Sequence, residues 1–241
     1  MKVLSIGNSF SQDAQRWLHQ CAASAGVDLT CADLVIGGCS LTRHWQNVQS
    51  GEAAYDYEVN GEHVRRAALV ETLRAEAWDV VTVQQVSGQS GRPQSFLPEL
   101  PLLAEVIRRE CPTAALRLQQ TWCYASYSDH PDFPAYDNNA DEMHRRVRDG
   151  YELASKLADA PLIPTGDVVQ ALRGRFETIL YRDGFHLSLL YGRYAAAVTW
   201  LATLCGTDPA AVTFVPSEGG VTADAEILKE IRQTVKDVVF P

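Results

Sequence analysis

The sequence predicts an α/β fold in three layers: an α/β/α sandwich with helices on both faces of a central parallel sheet. Three observations carry this expectation. Short apolar runs alternate with longer amphipathic ones along the chain, the order that right-handed βαβ crossovers produce. Residues 79–83 (DVVTV) form a β-branched run of the kind found in strands buried on both faces. No low-complexity linker and no internal repeat divides the 241 residues, so one domain spanning 1–241 is expected.

Residues 2–6 (KVLSI) read as the first strand, ending at Gly7. Residues 12–25 read as a helix, with Ala14, Trp17, Leu18, Cys21, Ala22 and Ala25 at helical spacing. Residues 29–36 read as the second strand, ending at Gly37-Gly38. Residues 55–63 break the rhythm, and their Asn60-Gly61 pair predicts a small hairpin inserted before the next helix. Residues 67–77 read as that helix, and 79–83 as the next strand. A helix over 97–110 and a strand over 115–121 follow. Residues 122–138, rich in Tyr, Asp and Pro, are a long loop of the kind that often carries function. A long helix is expected over 139–158 and a short strand at Leu162-Ile163 before Pro164. Residues 188–204 form a further helix, and Ile227, Ile231, Val235 and Val238 mark a last one.

Composition narrows the function classes. Lys and Arg number 21 against 30 Asp and Glu, a net charge of −9, and no basic block is present. Phosphate neutralisation needs clustered Lys and Arg, so a nucleic-acid partner is not expected. An anionic membrane surface is disfavoured for the same reason. The amino terminus has one basic residue and too short an apolar run for a signal peptide, and residues 194–205 are too few for a membrane span. None of the six cysteines forms a Cys-x-x-Cys pair, so buried thiols in a reducing compartment are expected. The sequence thus points to a cytoplasmic protein. His130, Asp132 and Asp137 match no zinc or calcium spacing, so no metal is expected. Cys39 and His44 suggest a thiol nucleophile but lack an orienting acid. His19, His44, His63, His130 and His144 read as surface or loop residues.

In an open parallel sheet, ligands bind beyond the carboxyl ends of the strands. Four segments converge there if the fold reading holds: Gly7-Asn8-Ser9-Phe10-Ser11, Gly37-Gly38-Cys39-Ser40, Gln84-Gln85-Val86-Ser87-Gly88 and Asp183-Gly184-Phe185-His186. Their chemistry suits acyl transfer. Ser9 sits in a tight strand-to-helix turn and needs a base to become nucleophilic. His186 is the candidate base, and Asp183 can hold its other ring nitrogen in the required tautomer. The Ser9 and Gly38 N–H groups are candidate oxyanion donors, with a side-chain amide from Gln84 or Gln85 as the third. Ser9 as a plain helix N-cap and His186 as a structural histidine are the competing readings. Phosphate at the first helix N-terminus lacks a supporting glycine-rich loop.

These segments resemble the four sequence blocks of the SGNH (GDSL-like) hydrolase superfamily, and specifically a bacterial branch classed as a domain of unknown function. The resemblance spans nearly the whole chain. It rests on GNSFS, GGCSL, the Gln-Gln strand end, Gln120-Thr121-Trp122 and DGFHLS. It implies a flavodoxin-like layout, a Ser9–His186–Asp183 triad and an oxyanion hole from Ser9, Gly38 and a third side chain. Two departures stand out: Asn8 replaces the usual Asp, and Gln84-Gln85 stands where the third block normally carries Asn.

The expected function is a serine esterase acting on a short-chain ester, such as an acetyl group on a carbohydrate, through an acyl-enzyme and without a cofactor. The aromatics Trp122, Tyr124, Tyr127, Phe133 and Tyr136 beside the site point mildly to a sugar. The alternative is a non-catalytic small-molecule or carbohydrate-binding protein on the same scaffold, suggested by the altered third block.

Overall fold

Strand β1 (Lys2–Gly7) is buried from Val3 onward and forms the centre of the sheet in the computed structural model, which describes residues 1–241. In chain order there follow α1 (Ser9–Gln15), α2 (Leu18–Ser24), β2 (Thr30–Val35), α3 (Leu41–Ser50), β3 (Tyr55–Val59), β4 (Glu62–Ala67), α4 (Leu69–Ala75) and β5 (Val80–Val83). Then come α5 (Ser87–Ser90), α6 (Glu99–Glu110), β6 (Ala115–Gln119), α7 (Ala140–Ala158), β7 (Leu162–Ile163), α8 (Thr165–Leu180) and α9 (Gly192–Cys205). A small hairpin, β8 (Ser217–Glu218) and β9 (Val221–Thr222), precedes α10 (Ala225–Val239). No helix is long and apolar enough to cross a membrane.

The main sheet has seven strands in the order β4-β3-β2-β1-β5-β6-β7. Strands β2, β1, β5, β6 and β7 are parallel, so their carboxyl ends face one edge. The β3–β4 hairpin is antiparallel and adds to the sheet beyond β2, which makes the sheet mixed rather than wholly parallel. Asn60 (φ 52°) and Gly61 (φ 83°) are both left-handed, as a two-residue hairpin turn of type I′ requires. Helices α1, α2, α9 and α10 pack together as one group; α3, α4, α6 and α7 form the other, with α8 against both α7 and α9. One contiguous apolar core runs through both layers, and α9 is buried over most of its length.

Three helices differ from the sequence reading. The helix expected over 12–25 is two helices. Asn8 caps α1 directly after β1, its side chain accepting from Phe10 N, and Trp17 leaves helical geometry where its indole N–H donates to Leu189 O. Helix α3 carries polar His44 and Asn47 on its buried face beside Leu41, which masks the apolar period. Helix α8 did carry its signal, since Val168, Val169, Leu172, Phe176 and Leu180 fall at helical spacing. Its start depends on Gly166, where a Cβ would lie 2.2 Å from the Thr121 carbonyl oxygen.

Candidate active site

The turn after β1 is tight. A Cβ at Gly7 would fall 2.3 Å from Ser11 Oγ, so glycine is needed for the turn to pack on its own helix. Asn8 follows in an extended conformation and its amide joins three strand ends. Its Oδ1 accepts from Phe10 N (3.0 Å) and from Gln84 Nε2 (2.7 Å), and its Nδ2 donates to Cys39 O (3.0 Å). An aspartate carboxylate has no donor for the Cys39 carbonyl, which gives a physical reason for Asn at this position. Ser9 is therefore held at the first position of α1. Gly38 lies across from it with φ +63°, a backbone conformation that favours glycine. None of the turn, loop and cap hydrogen bonds uses the Ser9 or Gly38 N–H.

Late in the chain, Asp183 and His186 form a compact turn. Asp183 Oδ1 accepts from His186 N (2.7 Å) and Phe185 N (3.2 Å). Gly184, at φ +86°, brings the turn against Ser128, and its carbonyl accepts from Ala125 N. The His186 ring then bridges two groups. Nδ1–H donates to Asp183 Oδ2 (2.7 Å), and Nε2 accepts from the Ser9 hydroxyl (2.8 Å). Partial burial raises the Asp183 pKa, but the hydrogen bonds from the His186 ring and from the His186 and Phe185 N–H groups outweigh it and hold the carboxyl below its usual range.

A buried aspartate on α1 anchors this turn. Asp13 Oδ2 accepts from Leu187 N (2.8 Å), while its Oδ1 accepts from Arg182 Nη1 and Arg193 Nε, both at 2.8 Å. Trp122 adds a second tie: its indole N–H donates to Phe185 O (2.8 Å), and its ring stacks on Phe10 at 4.1 Å. The helix that carries Ser9 and the turn that carries His186 are thus fastened to each other by groups flanking both.

A cleft of about 260 Å³ opens over Ser9. Asn8, Ser9 and Phe10 form its floor, Gly37 and Gly38 one side, Val86 and Ser87 the other, and His130, Phe185 and His186 its end. Nothing lies within 4 Å of where a Cβ would sit on Gly37 or Gly38, so that side is open to a ligand.

The structure brings together Ser9, His186, Asp183 and Gly38. It does not bring the two glutamine amides to the cleft, which corrects the expectation of a third oxyanion donor from Gln84 or Gln85. The Gln85 amide is engaged by backbone: Oε1 accepts from Leu41 N (3.1 Å) and Val86 N (2.8 Å), and Nε2 donates to Ser95 O (2.7 Å). Gln84 Nε2 reaches Asn8 beneath the floor, and its Oε1 is buried without a partner. Neither residue lines the cleft.

One histidine also differs from expectation. His44 is fully buried, 2.9 Å from the Tyr55 hydroxyl and 3.5 Å from Cys39 Sγ. Burial lowers the imidazole pKa to about 3 and pushes the Cys39 thiol up to about 12, so the pair is neutral and holds no thiolate. His130 is on a loop as expected, but that loop carries it to the cleft, where Tyr124 packs against it and Phe185 lies beside it.

Asp33 on β2 is buried under the turn that follows β1. Its Oδ1 is 3.0 Å from Ser11 Oγ, which is also 2.8 Å from Asn8 O, and its Oδ2 has no partner. Burial raises its pKa well above the usual carboxylate range, against the lowering effect of the Ser11 hydroxyl. In the unfolded chain the carboxyl ionises near 3.9. The folded protein therefore retains a proton that the unfolded chain releases, and stability falls as pH rises from the unfolded pKa toward the folded one. Asp33→Asn removes this penalty. The gap in Tm between variant and parent is expected to widen by at least ~3 °C between pH 5 and pH 8. Parallel melts that show no widening would contradict a protonated Asp33.

The comparisons show the family and the fold. A family model described as a domain of unknown function, DUF4886, matches residues 2–234. The crystal structure of a DUF4886 family protein from Bacteroides uniformis is similar over 100% of this chain and 95% of its own, with 35% identity and a TM-score of 0.91. A candidate SGNH hydrolase from Slackia heliotrinireducens is similar over 86% of this chain and 98% of its own, at 22% identity and a TM-score of 0.61. A member of the lipolytic G-D-S-L family from Veillonella parvula is similar over 85% and 98%, at 13% identity and a TM-score of 0.51. No curated protein matches the sequence at a significant level. The chain belongs to the DUF4886 family, and its mostly parallel α/β sandwich is the fold of the SGNH hydrolases.

Proposed function

We propose that the protein is a serine esterase that removes a short acyl group, acetyl in the first instance, from a carbohydrate. One observation carries the reading: the unbroken hydrogen-bond path from Ser9 Oγ through the His186 ring to Asp183, at 2.8 and 2.7 Å. A hydroxyl so placed can lose its proton as it attacks.

In the first half-reaction Ser9 Oγ bonds to the ester carbonyl carbon and its proton passes to His186 Nε2. Asp183 stabilises the resulting imidazolium through Nδ1–H. The oxyanion lies against the Ser9 and Gly38 N–H groups, donors fixed in advance by the α1 cap and the Gly38 turn. Collapse of the intermediate breaks the carbon–alkoxy bond, and the Nε2 proton leaves with the alcohol. In the second half-reaction a water gives a proton to Nε2, attacks the acyl carbon and releases the acid, returning the proton to Ser9. No group beyond these side chains, backbone donors and water is required.

The size of the cleft supports a short acyl group. A volume of about 260 Å³ must hold the scissile ester together with part of the alcohol, leaving little room for a long chain. Hydrolysis of p-nitrophenyl acetate, butyrate and octanoate tests this. The acetate is expected to be cleaved with kcat/KM at least ~10-fold above the octanoate. Equal or better cleavage of the octanoate would overturn the short-chain reading, and no cleavage of any of the three would overturn the esterase reading.

A further inference from the structure

We propose that His130 binds the alcohol part of the substrate: its ring Nε2–H donates a hydrogen bond to an acceptor oxygen of a sugar ring seated against Phe185. The proposal rests on the esterase reading and adds a residue that determines which ester is taken.

His130 occupies the end of the cleft beside Phe185 and His186. The backbone of its own loop sets its tautomer. Asp132 N–H donates to His130 Nδ1 at 3.2 Å, so Nδ1 presents a lone pair and the ring proton belongs on Nε2. The Asp132 carboxylate lies 4.0 Å from the same Nδ1, too far for a hydrogen bond and on the wrong side of a lone pair. Burial lowers the His130 pKa and a positive charge on His186 adds to this; the carboxylates of Asp132, Asp129 and Asp183 oppose it, and the net direction is downward. The ring is therefore neutral when His186 becomes an imidazolium, and it acts as a donor rather than as a second base.

Its Nε2–H has no hydrogen-bond partner within the chain, although the ring itself is firmly placed. Tyr124 lies against it at 4.5 Å and Phe185 meets it edge-on at 4.6 Å. Tyr124 is held in turn by the Ser87 hydroxyl at 3.0 Å. A positioned donor without a partner, at the end of a cleft and next to a partly exposed aromatic ring, suits a ligand that offers both an apolar face and ring oxygens. A pyranose or furanose has both. His130 thus reads the alcohol, while Ser9 and Gly38 hold the carbonyl.

The test compares glucose pentaacetate with p-nitrophenyl acetate, which carries no sugar ring. In His130→Ala the ratio of kcat/KM for the sugar ester to that for the nitrophenyl ester is expected to fall about 10-fold, the loss of one hydrogen bond to a neutral acceptor. The fall is expected in KM for the sugar ester, with its kcat changed much less. His130→Gln, which keeps a donor, is expected to recover part of the ratio. His130→Phe keeps the aromatic packing without the donor, and carries the same expectation as Ala should the smaller side chain unsettle the loop. An unchanged ratio in the folded Ala or Phe variant, whether both activities fall together or neither does, would overturn the proposal. A parent that cleaves p-nitrophenyl acetate and not glucose pentaacetate would overturn it while leaving the esterase reading intact. A parent that cleaves neither would remove both.

Discussion

Ser9→Ala is expected to lower kcat for p-nitrophenyl acetate by at least ~10³-fold while leaving the melting temperature within ~2 °C of the parent. The loss is large because the neighbouring hydroxyls and thiol are otherwise engaged; Ser87, which also lines the cleft, pairs with the Tyr124 hydroxyl at 3.0 Å. Cys39 is a neutral thiol facing buried His44, and Ser11 is turned to Asn8 O and Asp33 beneath the floor. The stability change is small because Ser9 Oγ has a single side-chain partner, the partly exposed His186 ring. His186→Ala is expected to cost about as much as Ser9→Ala, and the double variant little more, because the two act as one unit. A Ser9→Ala protein within tenfold of the parent would mean that the nitrophenyl ester is cleaved elsewhere on the molecule.

Asp13→Ala is expected to be the most damaging substitution outside the triad. The carboxylate is fully shielded from solvent and receives two guanidinium groups and one backbone N–H. Removing one partner of a buried ion pair costs about 3–5 kcal/mol, since the charge left behind loses its compensation. Arg182 is about one-third exposed (31%) and can rehydrate, so the lower end of that range applies. About 3 kcal/mol corresponds to a fall in Tm of ~6–12 °C for a chain of this length. Activity is expected to fall as well, because Leu187 N loses its acceptor and the neighbouring His186 ring loses its fixed distance to Ser9. Thermal melts and p-nitrophenyl acetate turnover at a temperature where both proteins are folded separate the two effects. A variant with parental Tm would show that Asp13 is not the anchor described here.

Much of the architecture was legible in the residue pattern, because burial writes a period into the chain. The apolar run of β1, the β-branched run of β5 and the spacing along α7, α9 and α10 are direct records of which faces are covered. The pattern failed where the covered face is polar. Helix α3 turns His44 and Asn47 inward, and apolar periodicity has no way to register them. The break at Trp17 depends on an indole bond to Leu189, a contact 172 residues away that no local window contains.

The candidate site divides along similar lines. Ser9, Gly38, Asp183 and His186 occupy turns whose shape is local, set by glycines and by an Asp-x-x-His spacing, and the fold needed only to bring those turns to one edge. Gln84 and Gln85 were different. A strand end shows that an amide is present but not which way it points, and here both amides face neighbouring backbone or Asn8. The significance of Asn8 emerges only in three dimensions, where one amide is seen to serve Phe10, Cys39 and Gln84 at once. The place of His130 in the cleft was hidden because it arises from a long loop folding back to the sheet edge.

The most direct test of the central claim is covalent labelling with a fluorophosphonate, followed by intact mass and peptide mapping. An activated serine displaces fluoride and keeps the phosphonyl group. One adduct per chain is expected, located on Ser9 and absent from both the Ser9→Ala and His186→Ala proteins. An unlabelled parent beside a labelled control hydrolase, or an adduct mapping to any other residue, would contradict that claim and leave the fold serving as a binding scaffold.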